Sequence, residues 1–186
     1  YDKASIISHA HAFTEGMKAA KVLTTAKHFP GLGAVTGNTD ISAGVRDDQT
    51  NSNSESVQIF KDLISSGTPS IMTATAIYDK IDPNLPGAFS SKMVDGLLRK
   101  QLGFDGLVIT DDLSNAVQVQ SWTPGQRAVL ALSAGNDLVL ANEPTQIPEM
   151  ISEVLQKAKA DPDFAKKISQ SATRVIKVKE EMKLVE

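Results

Sequence analysis

The stretch GLVITDDL, residues 106–113, decides the fold class of this chain. Residues 107–110 are apolar or β-branched, and Asp111 and Asp112 follow them at once. A continuous apolar run of this length is typical of a strand that is covered on both faces, as in a parallel sheet. Acidic side chains that directly follow such a strand lie where α/β enzymes bind their substrates. The stretch therefore predicts a parallel α/β fold with a candidate site at this strand end.

The rest of the chain repeats an alternation of strand and helix. Three further apolar runs predict strands over residues 22–29, 70–78 and 137–142. Helical spacing and helix-ending residues predict helices over 3–20, 55–66, 91–103, 123–136, 144–159 and 162–182. Polar loops are predicted over 31–55 and 79–89. Strands separated by helices in this way predict four βα units that share one parallel sheet.

Composition narrows the possible classes of protein. The 186 residues include 41% hydrophobic and 22% charged residues, which is ordinary for a globular domain or a large piece of one. The net charge is -3 and no basic run is present, so a nucleic-acid partner is not expected. No apolar stretch approaches the roughly 20 residues of a membrane span. Without cysteine, and without His, Asp and Glu at ligand spacing, we expect neither a metal nor another cofactor.

Polar side chains stand at two of the predicted strand ends, and each pair has two interpretations. Neighbours on a strand point to opposite faces, so one of Asp111 and Asp112 can face a pocket while the other faces the helices. The pocket-facing acid would serve as a nucleophile or base, or else the pair only caps the next turn. Lys27 and His28 end the first strand, where they would bind substrate hydroxyls, or form a core histidine and an ion pair.

Three longer stretches resemble one enzyme family. KHFPGLG (27–33), IMTATAIYDKIDPNLPGAFSSKMVDGLLRKQLGFDGLVITDDLSNAV (71–117) and ALSAGNDLVL (131–140) resemble glycoside hydrolase family 3, and most closely its β-N-acetylhexosaminidase branch. The resemblance implies a retaining exo-glycosidase that releases terminal β-linked N-acetylhexosamine through a covalent glycosyl-enzyme intermediate. A β-glucosidase of the same family and a non-catalytic glycan-binding relative are the alternatives.

The resemblance also implies roles for single residues. Asp111 matches the first acid of the family's Thr-Asp-Asp motif, which is the nucleophile, whereas Asp112 would be structural. Lys27 and His28 match a Lys-His pair that binds the hydroxyls of the carbohydrate substrate.

The loop after the first strand departs from the hexosaminidase pattern. Leu32 stands where a histidine is usual, and the usual Asp-Ser-His triplet falls on residues 38–40, Asn-Thr-Asp. Asp40 then occupies the position of the general acid/base and becomes the candidate for that role, since a carboxylic acid can do this work. The alternatives are that Asp40 only caps the loop, that Asp47 or Asp48 is the acid, or that activity is lost.

Length is the second departure from the family. The resemblance implies a (β/α)8 barrel of the TIM type, which has eight strands and about 250 residues. With four βα units, residues 1–186 are expected to form a single partial domain, the C-terminal half of the barrel. We expect a missing N-terminal half, or a second chain, to cover the exposed sheet edges, and the isolated fragment to be inactive. The compartment stays open between a bacterial cytoplasm and a cell envelope or secreted location.

Overall fold

A computed structural model describes residues 2–185 as a sheet-and-helix structure. The α-helices are α1 (Lys3–Ala19), α2 (Glu55–Ser65), α3 (Pro124–Ala134), α4 (Ile147–Ala160) and α5 (Pro162–Glu181). The strands are β1 (Thr25–Phe29), β2 (Arg46–Asp47), β3 (Ser70–Thr73), β4 (Ile77–Tyr78), β5 (Asp82–Pro86), β6 (Leu107–Asp112) and β7 (Leu138–Leu140). A wide helix of π type and three short 3-10 turns complete the structure: Lys92–Gln101, Gly87–Phe89, Val117–Val119 and Pro144–Gln146. None of these helices combines the length and the apolar character needed to cross a membrane.

The main sheet has four strands in the order β1-β3-β6-β7, and every neighbouring pair is parallel. This arrangement confirms the predicted parallel sheet of four βα units. Because all four strands run the same way, their carboxyl ends meet at one edge. The residues predicted for the site are therefore carried to the same end of the sheet.

Two apolar cores hold the helices against the sheet. The first surrounds Phe29 and Val108, and the second surrounds Leu113 on the segment that follows β6. In the first core the rings of Phe29 and Phe60 meet edge to face, with their centroids 5.1 Å apart. Since Phe29 and Leu113 directly follow candidate site residues, the packing of these cores fixes the strand ends that carry them.

Burial alternates along β6. Val108 and Thr110 are fully buried and Asp112 is nearly so, whereas Ile109 and Asp111 are only partly buried. Val108 belongs to the core beneath the helices, so the even-numbered side chains face the helix layer. Asp111 therefore lies on the opposite, more open face of the sheet, as the strand alternation predicts for one acid of the pair.

The predicted strand over 70–78 is wrong in its extent. The chain leaves the main sheet after Thr73, and residues 77–78 form β4 in a second sheet with the order β2-β4-β5. The carbonyls of Ala74 and Ala76 accept hydrogen bonds from the amides of Ala88 and Gly87, which turns the chain away from β6. The apolar run does not reveal this bend, because the residues before the bend and the residues after it are both buried.

The predicted loops also contain two short strands. β5 lies within the predicted loop 79–89 and β2 within the predicted loop 31–55. β5 includes Pro83 and Pro86, which oppose a strand assignment in the interior of a sheet but are tolerated at an edge. β5 is an edge strand of the second sheet, which explains why the sequence pattern misses it.

Candidate active site

Asp111 and His28 face each other at the carboxyl end of the main sheet. The Nε2 atom of His28 lies 3.7 Å from the Oδ2 atom of Asp111, and the two side chains are 22% and 20% exposed. β3 separates the strands that carry them, so the pair bridges three strands of the sheet. The other carboxylate oxygen, Oδ1, accepts a 2.9 Å hydrogen bond from the amide of Asp112. The Asp111 carboxylate is thus oriented by the backbone and directed toward the imidazole.

Burial lowers the pKa of His28 below its usual value. The carboxylates of Asp111 and Asp40 act to raise that pKa, while the cation of Lys27 adds to the lowering. The net lowering means that the imidazole is neutral at neutral pH, with one nitrogen able to donate and the other able to accept. A neutral imidazole beside an exposed lysine is suited to binding hydroxyl groups.

His28→Gln should make the free energy of unfolding less sensitive to acid. The folded state disfavours protonated His28, so the unfolded chain binds more protons once the pH falls below about 6.5. The free energy of unfolding of the wild type therefore decreases as the pH falls through that range. The variant lacks this imidazole, so its free energy of unfolding does not show this part of the decrease. Urea unfolding in steps from about pH 8 to pH 5 measures the difference. His11→Gln, at an exposed position on α1, is the matched control, and equal slopes for the wild type and His28→Gln would contradict the expectation.

Asp112 is committed to the backbone rather than to the site. Its carboxylate accepts hydrogen bonds from the amides of Ser114, Asn115 and Asn142, at 2.8 to 3.0 Å. Burial acts to raise the pKa of Asp112, but the three amides outweigh it and lower the pKa. The side chain ties the end of β6 to the segment after β7, which agrees with the structural role expected for it.

Asp40 lies on an exposed loop whose backbone is attached to the segment that follows β6. The carbonyls of Thr39 and Asp40 accept hydrogen bonds from the amides of Gln118 and Val117, at 3.0 and 3.1 Å. The amide of Asp40 donates to the side chain of Asn38 at 2.8 Å. The carboxylate is exposed, and its charge reaches His28. The loop therefore holds Asp40 on the same side of the sheet as Asp111 and His28.

The structure narrows the alternatives for the acid. Asp47 is fully buried, and its carboxylate accepts hydrogen bonds from the amides of Gln49 and Thr50 and from the Thr50 hydroxyl. A group so enclosed is inaccessible to a substrate. Asp48 is exposed and stays open as an alternative, whereas Leu32 packs against the first core.

Arg127 is a buried residue that the sequence interpretation missed. Its guanidinium donates to the carbonyls of Leu113 and Ser114 at 2.6 and 2.9 Å, and to the Gln120 side chain at 3.0 Å. Burial lowers the pKa of Arg127, and the carboxylates of Glu149 and Asp112 oppose that change. An arginine within the apolar stretch RAVLALSA was the available signal, since a buried cation needs such partners. Arg127 braces the turn directly after the two acids.

Asp111 and His28 are the two groups of the site that lie within 4 Å of each other, and the charges of Lys27 and Asp40 both act on the imidazole. Two carboxyl groups with hydroxyl-binding neighbours can carry out nucleophilic and acid/base chemistry on a sugar. Among residues 2–185, no three His, Asp or Glu side chains are grouped so that they could hold a metal ion.

The fold and the site define a class, an α/β barrel-type domain with its reactive groups at the carboxyl ends of parallel strands. The pattern of the Glycosyl hydrolase family 3 N terminal domain matches residues 1–178. The chain belongs to glycosyl hydrolase family 3. This membership confirms the predicted family and the TIM-barrel type of α/β fold, of which four βα units are present.

Individual relatives agree with this membership. The crystal structure of a β-N-acetylhexosaminidase from Beutenbergia cavernae superposes with a TM-score of 0.94 and 51% sequence identity, covering 97% of this chain and 54% of that one. A beta-hexosaminidase from Methylobacillus flagellatus is 35% identical over 155 residues, 82% of this chain and 44% of the relative. One from Hydrogenovibrio crunogenus is 36% identical over 146 residues, 77% of this chain and 40% of the relative. The chain thus spans less than half the length of these two curated relatives.

Proposed function

We propose that the chain is part of a retaining exo-glycosidase that hydrolyses terminal β-linked N-acetylhexosamine residues. The observation that carries the proposal is the oriented Asp111 carboxylate at the end of β6, 3.7 Å from His28, in a family 3 domain. The relatives named beta-hexosaminidase support the choice of sugar.

Each step of the proposed reaction uses a residue of the site. Asp111 attacks the anomeric carbon, and the bond to the leaving oxygen breaks as that oxygen takes a proton from Asp40. Asp40, now a carboxylate, then removes a proton from water, which attacks the same carbon and releases Asp111 from the sugar ester. Lys27 and His28 bind the sugar hydroxyls during both steps.

We further propose that residues 1–186 form one partial domain, the C-terminal half of the barrel. The strands β1 and β7 each have one neighbour among the described residues, so both edges of the sheet are open. Beside β7 lies an apolar groove of about 490 Å³. Ile151 and Leu155 on α4 line the groove, and each is 54% exposed. The N-terminal half of the barrel, or a second chain, would cover these surfaces, and the fragment alone should be inactive.

A second candidate is a non-catalytic relative that binds glycan without hydrolysing it. The loop favours this candidate, because the position of the first usual histidine holds Leu32, which packs against the core. The position of the second holds Asp40, an exposed carboxylate that must be protonated to act as an acid.

Aryl glycosides and a trapping reagent test the proposal on the protein with a complete barrel. We expect faster release of p-nitrophenol from the N-acetyl-β-glucosaminide than from the β-glucoside. A fluorinated N-acetylglucosaminyl fluoride should label the peptide that contains Asp111, as read by mass spectrometry. Preference for the glucoside would reject the proposed sugar, and glycan binding without turnover would favour the second candidate.

A further inference from the structure

We infer that Gln118 is a positioning residue that clamps the Asp40 loop to the turn after β6. The inference rests on the proposed function, in which Asp40 is the general acid/base that the clamp positions. Gln118 lies in the 3-10 turn Val117–Val119, shortly after Asp111 in the chain. Its side chain contacts neither Asp111 nor Asp40 in any hydrogen bond of the structure, so it would act through the loop.

The side chain of Gln118 is a two-way hydrogen-bonding partner for one loop residue. Its Oε1 atom accepts a 2.9 Å hydrogen bond from the amide of Val45, and its Nε2 atom donates a 3.1 Å hydrogen bond to the carbonyl of Val45. Gln118 is only 5% exposed and Val45 only 6%, so neither bond is readily replaced by water. This reciprocal pair joins the two segments as a short strand pairing would.

The same turn also holds the other end of the loop. The amides of Val117 and Gln118 donate to the carbonyls of Asp40 and Thr39. The segment 41–44 therefore forms an arch that is attached at both feet to one 3-10 turn. Within the arch Ile41 is 74% exposed, so the arch has little packing of its own. Between its feet the arch therefore depends on polar contacts, whereas its second foot is held also by the burial of Val45 in the first core and by a 3.0 Å hydrogen bond from the amide of Ile77 to the Val45 carbonyl.

Because of the clamp, both proposed catalytic carboxylates are attached to one rigid segment. The segment between Asp111 and Gln118 is fixed by the hydrogen bonds of Asp112 and by the buried guanidinium of Arg127. A retaining glycosidase needs its two carboxyl groups about 5 to 5.5 Å apart. A misplacement of roughly 1 Å can cost about 100-fold in rate. Gln118 would limit the movement of the arch relative to β6, and with it any change in the distance between the Asp40 and Asp111 carboxyl groups.

Two variants and a matched control test the clamp on the 186-residue chain itself. Gln118→Met keeps the length of the side chain but removes both hydrogen bonds, and Gln118→Glu keeps only the acceptor for the Val45 amide. Hydrogen exchange should accelerate within residues 37–45 by about tenfold in Gln118→Met and by at least as much in Gln118→Glu, because its second carboxylate oxygen would face the Val45 carbonyl. Gln156→Met, at an exposed position on α4, should leave this segment unchanged. Unchanged exchange in both Gln118 variants would overturn the clamp.

Leaving-group dependence tests the positioning role on the protein with a complete barrel. Gln118→Met should lower kcat/KM by about 10- to 100-fold for a phenyl glycoside, whose leaving oxygen needs the acid. For a 2,4-dinitrophenyl glycoside, which leaves without a proton, the value should stay within about threefold. Equal losses on both substrates would show a merely structural residue and overturn the inference. If the wild type hydrolyses neither substrate, the proposed function fails, and the exchange experiment alone decides whether the clamp exists.

Discussion

Asp111→Asn is expected to lower kcat for an aryl N-acetyl-β-glucosaminide by about four orders of magnitude or more in the protein with a complete barrel. The substitution keeps the size of the side chain and an oxygen that can accept from the Asp112 amide. The amide cannot form the glycosyl ester, however, so the first step of the proposed reaction has no nucleophile. Initial rates of p-nitrophenol release at saturating substrate measure the loss.

The control for this prediction is the same change at a carboxylate outside the site. Asp105 is exposed on the segment before β6, and Asp105→Asn should keep wild-type kcat. Circular dichroism and urea unfolding of both variants separate a lost reaction from a lost fold. If Asp111→Asn kept kcat within tenfold of the wild type, Asp111 would not be the nucleophile.

The parallel sheet was predictable because each of its strands carries a local signal. GLVITDDL predicts a strand over 106–113, and β6 occupies Leu107–Asp112. The meeting of His28 with Asp111 also follows from the sequence, since parallel strands bring their carboxyl ends to one edge. The break after Thr73 did not follow, because backbone pairing with Gly87 and Ala88 causes it and no side chain marks it.

Local sequence patterns do not predict which residues contact the Asp40 loop. Gln118 and Val45 are far apart in the chain, and a glutamine after a strand suggests a surface residue as readily as a buried one. The exclusion of Asp47 likewise depends on its burial and on the amides that enclose it. The sequence therefore supplies three candidates for the acid, and the folded chain removes Asp47 from them.

Asp40→Asn is expected to affect substrates according to their leaving group. For a phenyl N-acetyl-β-glucosaminide, kcat/KM should fall by about 10²- to 10⁴-fold, because the leaving oxygen no longer receives a proton. For the 2,4-dinitrophenyl substrate the glycosyl ester should still form, so kcat/KM should change little. The ester should then accumulate as a burst, since the second step also needs Asp40 as a base. Stopped-flow release of dinitrophenolate measures both phases.

Added azide provides the decisive measurement for Asp40. An anionic nucleophile needs no general base, so azide should speed the steady-state turnover of the variant and yield a glycosyl azide that retains the β configuration. Asp48→Asn is the matched control, because Asp48 is an exposed acid directly after β2 and the other open candidate. If Asp48→Asn showed the burst and the azide response while Asp40→Asn did not, the acid/base role would pass to Asp48. If neither variant differed from an active wild type, the proton donor would be neither of these acids, and the clamp at Gln118 would have no catalytic group to position.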